Sequence, residues 1–285
     1  MPTAVLAWYF VVVWGAGFIA TKTAIQYAGP FTILCLRFAI GAALLVPVIL
    51  WSRPRWPNSP REWFHVAISG ILMHAINLGG SHSAQYYGLS AGITALILSL
   101  QPLLTAMLSS TFLRERLRPI QVLGIALGLG GVLLVVWHKI DIRAMSAASL
   151  IAILVSLVAI TVGALYQRNY MPRVDLRSAS LVQLLASLVV VAPFGYYVEG
   201  WQVEWSWELI YALTFLTLLA TLLAFNALNE LMRRGQATRV TSLMYLTPII
   251  AVVLELVFFG VVPTAFSMVG VALTCAGVAL VLWRR

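Results

Sequence analysis

Charge is scarce in this chain. Asp, Glu, Lys and Arg make up 9% of its 285 residues, and only nine of those are acidic. A water-facing surface draws about a quarter of its residues from that set, so a soluble protein of this length is excluded. Cysteine is almost absent. Cys35 and Cys275 stand alone in apolar stretches, without the paired spacing of a disulfide frame or a zinc site, and read as core filler. Also missing are HExxH, GxSxG and GxGD patterns, a Walker A loop, and any two carboxylates sharing one helical face inside an apolar run. No catalytic residue, metal site or cofactor is expected, and the chain is not read as an enzyme.

What the sequence has in abundance is apolar side chains, 61% of the total, at a mean hydropathy of +0.95. This is the composition of an all-α integral membrane protein, with the lipid bilayer as its solvent. The net charge of +9 does not indicate nucleic-acid binding, because the basic residues stand in small groups between apolar runs. Apolar runs fall near residues 3–28, 31–51, 62–87, 90–113, 118–137, 147–167, 178–198, 207–232, 238–260 and 264–283. Each is near the roughly 20 residues a helix needs to cross a bilayer. The first has no basic segment before it and outruns a signal h-region, so it is expected to be a retained helix.

Ten spans put fourteen arginines, among them Arg53, Arg55, Arg61, Arg118, Arg168 and Arg177, on the side of the N-terminus. The other side receives only Lys139 and Arg143, while Lys22 and Arg37 fall within spans. Cytoplasmic loops collect positive charge, so both termini are expected to be cytoplasmic. One span more or fewer would scatter the fourteen over both faces.

The sequence also repeats at a fixed offset of 146 residues: Gly17 maps to Gly163, Pro47 to Pro193, Pro102 to Pro248, Gly124 to Gly270, and Gly131-Val132 to Gly277-Val278. Five spans per half is an odd number, so residues 1–140 and 147–285 are expected to form two five-helix repeats of inverted topology. Secondary transporters built this way place the solute site near the midplane between the repeats.

Trp14-Gly15-Ala16-Gly17-Phe18 followed by Lys22 resembles the opening of the drug/metabolite transporter superfamily, EamA type. Leu100-Gln101-Pro102-Leu103, with Glu115 thirteen residues after the proline, resembles that family's passage from fourth to fifth span. Thr247-Pro248, Gly270 and Gly277-Val278 repeat the pattern more loosely. Where a second loop glutamate would fall stands Val261, and a glutamate appears earlier, at Glu255. Within the family the chain is most similar to the aromatic amino-acid exporter branch. The resemblance implies a multi-pass protein of a bacterial-type inner membrane, working in the export direction.

Polar residues inside the spans mark the candidate site, because they are costly in hydrocarbon and face a cavity or each other. In the third span His74, Asn77, Ser81 and Gln85 fall on one helical stripe, which reads as a cavity wall or as interhelical hydrogen bonding. Gln101-Pro102 and Thr247-Pro248 occupy equivalent positions in the fourth and ninth spans, where a proline frees a backbone carbonyl and breaks the helix. Ser99 and Tyr245 precede them by three residues. With Trp14, these residues form the candidate solute-binding set, and Pro102 and Pro248 the candidate gating breaks. Lys22, Arg37 and Glu255 are intramembrane charges. Lys22 and Arg37 are long enough to snorkel, whereas Glu255 needs a cation or water, and Lys22 is one candidate partner. The glycines of the fifth and tenth spans suit either internal packing or a dimer contact, leaving monomer and homodimer both open.

The expected activity is alternating-access export of a small amphipathic metabolite, an amino acid above all and notably an aromatic one. A lining of amides, hydroxyls, an imidazole and aromatic rings suits a zwitterion better than a polyanion. The alternative is a lipophilic cation held by aromatic faces, with Glu255 balancing its charge.

Overall fold

The computed structural model describes residues 3–112, 118–141, 146–171, 174–223 and 246–282. Among them no strand occurs, only one β-bridge between Ala28 and Val203. The elements are α1 (Thr3–Ala24), α2 (Pro30–Ser52), α3 (Pro60–Gly70), a π-helical segment Ile71–Ile76, α4 (Asn77–Tyr86), α5 (Ala91–Leu98), α6 (Gln101–Phe112), α7 (Pro119–Asp141), α8 (Ala147–Tyr170), α9 (Leu176–Tyr197), α10 (Trp207–Thr214), a second π-helical segment Phe215–Leu223, α11 (Thr247–Phe259) and α12 (Ala265–Leu282). Among the described residues five stretches are long and apolar enough to cross a membrane: Pro30–Ser52, Ala91–Leu108, Pro119–Trp137, Ala147–Tyr170 and Leu176–Tyr197. The apolar helices of the last third are shorter.

Local chemistry sets the helix starts. Ser59, Ser90, Ser146 and Ser206 each accept an N–H three residues on, from Glu62, Ile93, Ser149 and Leu209, satisfying donors that a helix N-terminus leaves orphaned. Pro30 and Pro60 open α2 and α3, where a missing N–H costs nothing. The fourth apolar run breaks at Ser99–Leu100. Pro102 therefore lies in the first turn of α6 and not in the interior of a kinked helix, and the Ser99 hydroxyl takes the Leu96 carbonyl at 2.6 Å. Pro248 likewise lies in the first turn of α11. The first span is shorter than its apolar run, since α1 ends at Ala24 ahead of the Gly29-Pro30 corner.

Two of the element pairs related by the 146-residue offset pack against each other. α2 packs along α9 and α7 along α12, while α8 lies against α4 and α1 against α10 and α11. The loops fall into two sets. Ser178 bonds the Arg55 carbonyl and His65 bonds Tyr166, which gathers an arginine-bearing end. At the opposite end the Glu204 amide donates to the Tyr27 carbonyl, and the Glu199 carboxylate accepts from the Phe31 and Thr32 amides at 2.9 and 2.7 Å, capping α2.

The α7–α12 contact depends on glycine. A Cβ on Gly124 would meet the Gly277 carbonyl at 2.6 Å, and one on Gly131 the Gly270 carbonyl at 2.7 Å. These glycines serve internal packing, whereas Gly130 faces nothing within 4 Å. Gly277→Ala would place a methyl group 2.4 Å from the Gly128 amide nitrogen, with no side chain able to yield. The expected result is a loss of about 1–3 kcal/mol, read as a lower melting temperature in detergent. Gly130→Ala is expected to be neutral or to add up to about 0.5–1 kcal/mol.

Candidate functional site

A cavity of about 280 Å³ lies between the helices. It runs from the exposed Leu176 and Arg177, at the arginine-bearing end, to the buried Thr21, His82 and Gln85 near the other. Most of its surface is apolar. Its polar groups come from α1, α2, the first π-segment with α4, the α5–α6 break, α9, the second π-segment and the start of α11.

The π-segment explains the wall around His74. The Asn77 amide reaches back five residues to the Leu72 carbonyl, and the Asn77 side-chain Nδ2 takes the Met73 carbonyl at 3.0 Å. The wider turn slows the helical rotation, so His74, Leu78 and His82, four apart, line the cavity beside Asn77, Ser81 and Gln85. The His74 ring stands edge-on to Phe38, and Gln183 of α9 lines the same cavity. Gln183 is itself bound to Ser69 at 2.8 Å and to Gln167 at 3.2 Å. The second π-segment falls at the position equivalent to the first under the 146-residue offset, 215–223 against 71–76. Such segments concentrate at functional sites.

Trp14, His74, Asn77, Ser81, Gln85, Ser99, Gln101, Pro102 and Thr247 all line this one cavity. Tyr245 and Glu115 lie outside the described residues. Their roles differ. Asn77 is 8% exposed, and Ser156 of α8 donates to both its Oδ1, at 2.8 Å, and its carbonyl, at 2.7 Å. Its polar atoms join α4 to α8, aided by Gly80, where a Cβ would sit 2.5 Å from the Ala152 carbonyl. By contrast His82 Nε2, Gln85 Oε1 and Thr247 Oγ1 are buried without a hydrogen-bond partner among the described residues.

Of the intramembrane charges, Arg37 departs from expectation, while Glu255 finds the expected partner in Lys22. Arg37 does not snorkel: it turns into the cavity, where its Nε and Nη2 donate to Thr221 Oγ1 at 3.2 and 3.0 Å. Glu255, 2% exposed, does not line the cavity and is not free to balance a cationic solute. Its carboxylate meets Lys22 Nζ at 2.5 Å and accepts from the Ala91 and Gly92 amides at 3.0 and 2.9 Å, at the N-terminus of α5. Lys22 also stands 4.5 Å over the Phe259 ring. This knot ties α1, α5 and α11 together at the closed end of the cavity. The anion has a cation, two backbone donors and the positive end of a helix dipole.

Sequence reasoning passed over His82, Gln183 and Thr221. The repeat carried a signal for one of them: Gln183 is the equivalent of Arg37, a polar residue at the same place in each half. Among the described residues no three His, Cys, Asp or Glu side chains gather as a metal site would require.

The EamA-like transporter family model matches residues 1–137 and again 147–283. The chain is 26% identical to the uncharacterized transporter YvbV of Bacillus subtilis (strain 168), covering 98% of this chain and 91% of that one. It is 25% identical to a Salmonella typhimurium protein named "Probable amino-acid metabolite efflux pump" over 95% of this chain and 92% of the relative. An Escherichia coli (strain K12) protein of the same name is 24% identical over 99% and 96%. A solved crystal structure superposes with a TM-score of 0.68 at 20% identity, covering 98% of this chain and 95% of the other, a likeness of fold.

The Lys22–Glu255 pair makes a double-mutant cycle informative. Glu255→Gln leaves Lys22 unpaired and is expected to cost on the order of 2–4 kcal/mol, below the range for a fully buried pair because the Lys22 side chain is 22% exposed. Lys22→Met combined with Glu255→Gln is expected to cost less than the two single changes added together. Thermal unfolding of the four proteins in detergent measures the coupling.

Proposed function

Because the chain belongs to the EamA-like transporter family, we propose that it is a secondary transporter of a bacterial-type inner membrane that exports small metabolites, with amino acids, including aromatic ones, as its solutes. Two five-helix repeats of inverted topology, residues 1–140 and 147–285, rock about the cavity between them, with ten spans and both termini in the cytoplasm. The observation that carries this reading is one cavity lined by both halves of the chain, with the exposed Leu176 and Arg177 at its arginine-bearing end and the buried Thr21, His82 and Gln85 near the other. With arginines on the cytoplasmic side, this is the state that loads an exported solute. A cavity of about 280 Å³ is near the lower end of small-ligand pockets, about 300–1,000 Å³, a size that suits an amino acid better than a nucleotide sugar.

Relatives named as amino-acid metabolite efflux pumps support the solute class. Two features of the lining do so as well: imidazole, amide and hydroxyl groups for a zwitterion's polar end, and Trp14, Phe18, Leu184 and Leu216 for an apolar body. The lipophilic-cation reading loses its counter-ion, since Glu255 is committed to Lys22 and the α5 backbone.

Reconstituted protein is expected to move one or more amino acids across proteoliposomes in a saturable way, and flux with and without a proton gradient gives the coupling. Solute-independent leakage, or no flux across an amino-acid panel, would overturn the reading. His74 refines it. His74→Ala is expected to keep its melting temperature, since the ring borders an open cavity, while flux falls by about tenfold or more. His74→Gln, which hydrogen-bonds but does not titrate in this range, is expected to keep flux with an unchanged pH dependence. Loss of that pH dependence in the Gln variant would assign His74 to proton handling instead.

A further inference from the structure

We propose that Arg37 anchors a carboxylate of the transported solute. The inference rests on reading the cavity as the solute site. Among the described residues, Arg37 is the intramembrane cation left without an anion. Lys22 has Glu255, and Arg177 at the cavity mouth has Asp175 at 3.0 Å. Arg37 has one neutral hydroxyl, Thr221 Oγ1, which takes two of its donors and passes its own hydrogen back to the Leu216 carbonyl at 2.8 Å. Three of the five guanidinium donors therefore meet no protein acceptor among the described residues. An intramembrane charge held in this way marks a ligand or ion path.

A second observation points the same way. Arg37, His74 and His82 line the same cavity. His82, 2% exposed, keeps Nε2 buried and, among the described residues, without a partner. Ser81 Oγ gives its hydrogen to the Leu78 carbonyl and stands 3.4 Å from His82 Nδ1, so the ring proton sits on Nδ1 and Nε2 is left as an acceptor. A planar two-oxygen anion matches the guanidinium fork, and the Nε2 lone pair takes a donor of the same solute. One guanidinium suits a monoanion, whereas a phosphate dianion calls for several fixed cations. Gln85 Oε1 and Thr247 Oγ1, also buried and unpartnered, supply acceptors for the solute's own donors. The ligand class that follows is a small monocarboxylate bearing a donor, which includes the α-amino acids.

Matched acid and amide pairs test the anchor, because they differ only in the carboxylate. The probes are threonine, leucine, phenylalanine and tryptophan, each against its α-amide, titrated onto the full chain in nanodiscs. At least one acid is expected to bind about tenfold or more tightly than its amide. Arg37→Gln is expected to abolish that preference at an unchanged unliganded melting temperature, and Arg37→Lys to keep part of it. His82→Ala is expected to weaken acid and amide alike, because Nε2 accepts from a donor that both share. Amides bound as tightly as acids by the unaltered protein, an acid preference that survives in Arg37→Gln, or no acid bound at all would overturn the proposal; the first comparison needs no variant to fold. Proteoliposome flux separates this failure from failure of the transport reading. A protein that prefers acids but moves none refutes transport and leaves the anchor. One that moves amides as fast as acids refutes the anchor and leaves transport.

Discussion

The Glu255 carboxylate is where three parts of the molecule meet. In an environment without water an ionised side chain has to collect its solvation from the protein. Glu255 does so from the Lys22 ammonium on α1 and from the first amides of α5, while itself belonging to α11. The break that separates α5 from α6, the close approach of α1 to α11 at Gly15, where a Cβ would touch Ile250 at 2.8 Å, and the closed end of the cavity are all arranged around it. A Cβ on Gly92 would stand 3.2 Å from the same carboxylate, so the residue type at that position serves the knot too. Glu199 does the corresponding work at the N-terminus of α2.

The same demand for satisfied polar groups shapes the cavity. Each π-segment and helix break frees backbone groups, and nearby side chains take them up: Asn77 for the Met73 carbonyl, Ser99 for the Leu96 carbonyl, Thr221 for the Leu216 carbonyl. Irregular backbone at membrane depth is tolerable only where protein or water meets its polar groups, so it collects at the cavity. The two halves supply equivalent breaks but unequal chemistry. Arg37 faces Thr221, and its equivalent Gln183 faces Ser69 and Gln167. Shared backbone geometry puts a π-segment at the same place in both halves, and one half sets a charge where the other sets an amide.

Much was legible in the sequence because the relevant physics is local or periodic. Hydropathy locates the apolar helices, since a bilayer selects for long apolar runs whatever their neighbours are. The 146-residue repeat links helices that turn out to pack together, and the third-span stripe with the two proline breaks leads to residues that share one cavity. Membership of the EamA-like transporter family was readable from the Trp14–Lys22 and Gln101-Pro102 motifs, and the match over both halves bears it out.

Only the tertiary structure decided what each polar residue faces. Periodicity assigns Asn77 and Gln85 to the same stripe, yet Ser156, 79 residues away, takes up Asn77, while Gln85 Oε1 is left unpartnered. Lys22 and Arg37 look alike in sequence as long cations some six residues from a span end. One finds a carboxylate 233 positions later and the other finds only a hydroxyl 184 positions later. Partner choice at such separations depends on helix rotation and on where a π-turn shifts the register, and neither quantity is written in a local window of residues. Composition and periodicity thus determined that the chain is a bundle of apolar helices in two related halves. Which charges neutralise each other, and which one is left facing the cavity, was decided by how those helices pack.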